Sequence, residues 1–143
     1  MMDTKIAKLM SEGDFYYAEA KSKFFLKKEL KCIAPCGNYK ALKIYLDAYE
    51  MFLYAGKAPS VNYHVLVHMI IGKDPEFEKF KENIYKVKCF AEESQHGGEE
   101  FYLFSNEINS VLKIVGDIRK YIINAMQNAL VKEEVFSDNI MAL

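Results

Sequence analysis

Between Ser105 and Ala129 apolar residues return every three or four positions: Ile108, Val111, Leu112, Val115, Ile118, Ile122, Ala125, Met126 and Ala129. A half-buried strand would alternate, whereas this spacing lines one side of an α-helix. It is the longest amphipathic pattern in the chain. Whatever packs against it has to offer matching apolar stripes.

The rest of the chain offers them. Ile6, Leu9, Tyr16 or Tyr17, Ala20 and Phe24 predict a first helix from residue 3 to about residue 31. Gly13 interrupts it at a cost of about 1 kcal/mol relative to Ala, so a break is expected there, with Ser11 or Asp14 recapping. The stretch "APCGN" at 34–38 is punctuation, since Pro35 and Gly37 are poor inside a helix. A second helix is expected over 38–55, with Leu42, Tyr45, Leu46, Tyr49, Phe52 and Leu53 as its stripe and Gly56 as its C-terminal stop.

Ser60 is read as the cap of a short third helix that ends at Gly72. The fourth helix has the clearest start: Asp74 as cap, Pro75 at the first position, and Glu76 and Glu78 against the helix dipole. Phe77, Phe80, Ile84, Val87 and Ala91 form its stripe. A linker, "SQHGGEEFYLFS", leads to the long fifth helix, and no clear period remains beyond about residue 131. No alternating run is longer than "FYLF", and there is no internal repeat. The expectation is an all-α fold, an antiparallel bundle of four principal helices plus one short helix. It forms a single domain over 1–131, and 132–143 is a tail, frayed or docked on a partner.

Composition excludes several functions. With 143 residues, 51% hydrophobic and 27% charged, the chain can bury a core without disulfides or metals. Ten Tyr and ten Phe with no Trp make that core bulky, and the Tyr hydroxyls need polar partners or a surface position. A net charge of −1 gives no global case for nucleic-acid binding. Arg119 is the single arginine, so bidentate phosphate recognition has little to work with. Lys21, Lys23, Lys27, Lys28 and Lys31 crowd one segment and read as a solvated helix face. Cys32, Cys36 and Cys89 are an odd number without a signal peptide ahead of them, which points to a reducing, cytoplasmic setting with buried or free thiols. No apolar run is long enough to span a bilayer, so no membrane partner is expected.

The residues with chemical promise are few. His64 and His68, in "VNYHVLVHMIIG", stand one helical turn apart, as zinc-binding helices require. The metalloprotease version needs a Glu after the first His, where this chain has Val65. Glu93 and His96 match one Glu-x-x-His fragment of a di-iron bundle, but the second fragment is missing. No G-x-S-x-G and no phosphate loop appears, "HGGEE" lacking the Lys-Ser/Thr that would follow. Periodicity gives the two histidines another place: Tyr63, Leu66, Val67 and Ile70 take one side of helix 3, and His64 and His68 share another, about 40° apart. They form its polar edge, open to solvent or to a groove, where imidazoles can sense pH or donate to a phosphate. No metal, cofactor or catalytic residue is expected.

The order of the helices, with "YYAEAKSKFF" leading into "KCIAPCGNYKALKIYLDAYEMFL", resembles the HEPN superfamily of small helical bundles, over about residues 14–130. Gly37, Leu42, Leu46, Asp47, Ala48 and Tyr49 carry the likeness, which is to uncharacterised bacterial members. The resemblance implies a dimer. It also implies, for many members, a metal-independent ribonuclease with an Arg-x4–6-His motif near the last helices. Here the residue five beyond Arg119 is Asn124, with no His downstream, so the imidazole that would act as acid or base is gone. Arg119 is then a surface or salt-bridged cation. The resulting expectation is a non-catalytic HEPN-like domain acting on a protein, RNA or nucleotide partner as a homodimer, with apolar surface to spare on helix 5 and its tail (Val135, Phe136, Ile140, Met141). Two alternatives are a toxin-type ribonuclease pairing Arg119 with His64 or His68, and a metal-binding bundle using His64, His68 and His96. The candidate contacts are therefore His64, His68, His96, Arg119 and Asn124.

Overall fold

The computed structural model describes the backbone of residues 3–24, 33–58, 60–96 and 105–141, and the side chains of 3–22, 37–58, 60–93 and 109–132. Within these, five α-helices follow one another: α1 Thr4–Phe24, α2 Ile33–Leu53, α3 Tyr63–Lys73, α4 Lys81–His96 and α5 Ser105–Met141. A 3₁₀ turn, Pro75–Phe80, joins α3 to α4. There is no strand among the described residues.

Cross-helix pairs give the directions. Ala20 faces Gly37 and Gly13 faces Tyr45, so α1 and α2 are antiparallel. Tyr17 donates to the Leu112 carbonyl and Asp14 meets Arg119, so α5 also runs against α1. Tyr49 packs on Phe77, while Tyr39 senses the charge of Glu92, which sets α4 against α2. Thus α1 and α4 point one way, and α2 and α5 the other. This is the antiparallel bundle of four principal helices and a short one.

The helix α2 is the hub, touching α1, α3, α4 and α5. Its Ala41, Leu42, Tyr45, Leu46 and Ala48 have no exposed surface. Around it lie Ile6 and Met10 of α1, Leu66, Val67 and Ile70 of α3, Ile84 and Val87 of α4, and Val115, Ile118, Ile122 and Met126 of α5. A side chain of this size adds about 1.5–3 kcal/mol when fully buried, so the stripes rather than helix propensity hold the bundle together.

Four local expectations are corrected. Helix α1 is continuous through Gly13, which is buried: a Cβ there would lie 2.6 Å from Tyr45 Cε1. The glycine lets two helices approach rather than ending one. Helix α2 starts at Ile33, which puts Pro35 in its first turn, where no intrahelical N–H bond is lost. Helix α3 is capped by Asn62, whose Oδ1 accepts from the backbone N–H groups of His64 and Val65, and not by Ser60. Asp74 makes no side-chain cap bond, and the α-helix after it begins only at Lys81.

At the end of α2 the Gly56 N–H returns to the Met51 carbonyl at 2.9 Å, with φ of 54° at Ala55 and 87° at Gly56. That left-handed closure is where glycine is favoured. Helix α5 continues to Met141, so the backbone of 132–141 extends the helix. Side chains beyond 132, among them Val135, Phe136, Ile140 and Met141, lie outside the described residues. So do Lys27, Lys28, Lys31 and Cys32, and the side chains of Lys23, Cys36 and His96. Cys89 is an exposed free thiol. Among the described residues no helix is long and apolar enough to cross a membrane.

Candidate functional site

Three carboxylates at helix junctions each gather two donor groups from elsewhere in the chain. Asp14 of α1 accepts from Arg119 Nε at 2.7 Å and from a terminal guanidinium nitrogen at 3.2 Å, a two-pronged ion pair across α1 and α5. Tyr45 of α2 donates its hydroxyl to the same Asp14 Oδ1 at 2.5 Å. Asp74, between α3 and the 3₁₀ turn, accepts on one oxygen from Tyr49 at 2.6 Å and from Tyr121 at 2.7 Å. Glu50, fully buried on α2, accepts from the Ser60 N–H at 2.6 Å and the Ser60 hydroxyl at 2.8 Å, and so anchors the loop before α3.

The electrostatics follow from these partners. Burial raises the Asp14 carboxyl, but hydrogen bonds from Arg119 and Tyr45 and the Arg119 charge outweigh it and hold the group below its ordinary 3.8. The hydrogen bond to Asp14 raises Arg119 further, so its charge is permanent. A carboxyl lowered on folding adds stability that is complete above its unfolded pKa and disappears as pH falls through the lowered value. The Asp14 contribution is thus present at neutral pH and lost in acid. Burial, then the bonded carboxylate, drives the hydroxyls of Tyr45, Tyr49 and Tyr121 far upward, so all three stay protonated donors.

Around Asp74 the rings close a cluster: Tyr49, Phe77, Phe80 and Tyr121 meet at centroid distances of 5.1 to 6.5 Å. Lys79 lies 4.9 Å above the Tyr121 ring. These tilted and edge contacts fit the ring quadrupoles. They make a packed joint between α2, α5 and the 3₁₀ turn.

The outer face of α3 is different. Tyr63, Leu66, Val67 and Ile70 are buried, and His64, Val65 and His68 are exposed, with Val61 just before the helix 93% exposed. No Asp, Glu, Lys or Arg occurs from Ser60 to Gly72. His64 is backed by an aromatic row. Its Nδ1 lies 3.0 Å from the Tyr85 hydroxyl and its ring 4.9 Å from that of Tyr85. Tyr85 leans on Tyr63, and Tyr63 on Tyr39.

The sequence-predicted residues therefore separate. His64 and His68 share the α3 face. Arg119 is engaged by Asp14 on α1, beside Tyr45 and Tyr17, and away from the α3 face. Asn124 is exposed on α5. His96 closes α4, with its side chain outside the described residues. Among the described residues no group of three His, Cys, Asp or Glu side chains is gathered to hold a metal. The residues that sequence reasoning missed are Asp14 as an ion-pair partner, Glu50 as a buried anchor and Tyr85 as the support of His64. The abundance of Tyr hydroxyls seeking partners was a signal for Asp14 and Tyr85, and nothing local pointed to Glu50. Comparisons with protein-family models, curated proteins and solved structures find no match for this chain.

Proposed function

We propose that this protein is a non-catalytic, HEPN-like helical domain that works in the cytoplasm by associating with a protein, RNA or nucleotide partner, itself as a homodimer. The observation that carries this reading is the state of Arg119. Its guanidinium forks onto Asp14 across two helices, an arrangement suited to joining α1 and α5 rather than to meeting a scissile phosphate. The uncharged outer face of α3 supports association, since Val61 and Val65 flank the two imidazoles there.

RNA incubated with the wild-type chain and with Arg119→Ala tests the non-catalytic part. The expected result is no cleavage by either, with a lowered unfolding midpoint in the variant. Cleavage by the wild type that Arg119→Ala abolishes would overturn it. Sedimentation equilibrium at micromolar concentration in buffer without chelator tests the homodimer, and a single-chain mass there would remove it.

A further inference from the structure

The α3 face holds two metal-ligating side chains that the bundle does not use. We propose that His64 and His68 form one half of a transition-metal site, completed by the same pair from a second copy of this chain, with zinc as the fitting ion. The proposal extends the homodimer reading by assigning it a face and a bridging ion.

Side chains four apart on a helix stand about 5–6 Å from each other at Cβ, the separation with which helical His pairs chelate zinc. Both imidazoles are exposed, so a cation reaches them without opening the core. His64 is also supported from behind. A zinc-bound imidazole ordinarily hands its other ring N–H to an oxygen that fixes ring and tautomer. The Tyr85 hydroxyl occupies that position at Nδ1, which leaves Nε2 as the ligating nitrogen. Stacking on Tyr85, itself against Tyr63, holds the plane of the ring before any ion arrives.

On one chain the ligand set is incomplete. Zinc takes four ligands in a tetrahedron, and this face provides two. No third His, Cys, Asp or Glu is gathered there among the described residues. A second copy related by a twofold axis through the ion supplies the same two again, as closed symmetric dimers require. The face permits that approach: from Ser60 to Gly72 there is no formal charge to repel its own image, and Val61 and Val65 lie beside the histidines to be covered.

The test uses the full chain without an affinity tag, dialysed against chelator and then titrated with zinc alone. Bound metal and solution mass are both measured. The expected result is one zinc per two chains, with the mass doubling relative to the chelated state. His64→Ala and His68→Ala should each abolish both effects. Tyr85→Phe should weaken zinc binding by about tenfold. Cys89→Ser should leave uptake unchanged, which separates imidazole from thiol binding. No zinc uptake, uptake of one zinc per chain with no change in mass, or full uptake by His68→Ala would overturn the site. Undiminished affinity in Tyr85→Phe would overturn the positioning role of Tyr85. A mass already doubled in chelator that zinc leaves unchanged would keep the homodimer and overturn the bridge. A single-chain mass both in chelator and in zinc would overturn the homodimer as well.

Discussion

The polar joints inside the bundle and the outer face of α3 use similar side chains to opposite ends. Asp14, Glu50 and Asp74 each collect two donor groups, so their charge and lone pairs are committed to holding helices together. His64 and His68 are exposed and collect no charged partner among the described residues, His64 meeting the Tyr85 hydroxyl of α4. Ionisable groups at helix crossings are thus structural here. The groups left for a ligand stand on an exposed helix face. The distinction matters most for Arg119, which by residue type is the strongest anion binder in the chain and by position belongs to the joints.

Three substitutions probe that contrast. Glu50→Ala removes a fully buried acceptor and strands the Ser60 N–H and hydroxyl, so a loss of about 3 kcal/mol is expected in chemical denaturation. A loss below about 1 kcal/mol would mean the loop before α3 does not depend on this anchor. Gly13→Ala adds helix propensity worth about 1 kcal/mol but drives a methyl into the ring of Tyr45, whose hydroxyl is held by Asp14. Overpacking prevails, and a net loss of about 1–2 kcal/mol is expected. A stabilised variant would show that Tyr45 is free to move away. His64→Ala with His68→Ala should shift metal-free stability by less than about 0.5 kcal/mol, as for exposed positions generally. A larger loss in thermal unfolding would place the pair among the joints.

What was legible in the sequence was what repeats. The stripes of α2, α3 and α5 could be read because one buried side recurs every three or four residues, and Leu42, Tyr45, Leu66, Ile70, Ile118 and Ile122 are all fully covered. The buried and exposed sides of α3 were equally plain. What could not be read was pairing at a distance. Asp14 and Arg119 are 105 positions apart, and Asp74 takes its donors from residues 25 and 47 positions away. No local spacing announces such partners. Gly13 and Asp74 show the same limit, since each looks like punctuation and each is placed by a tyrosine on another helix. The outer face of α3 could be located, but the support that Tyr85 gives His64 needed the fold.

The Arg119 charge is engaged by Asp14, and a double-mutant cycle measures that engagement. Unfolding free energies of wild type, Asp14→Ala, Arg119→Ala and the double variant give the coupling between the two side chains at neutral pH. Both are more than a third exposed, with side-chain exposures of 44% and 37%, so solvent screening limits the expected coupling to about 0.5–1 kcal/mol. It should shrink in high salt. Coupling of that size, weakened by salt, is expected. Single-variant losses that simply add would contradict it and leave Arg119 a cation free for other work.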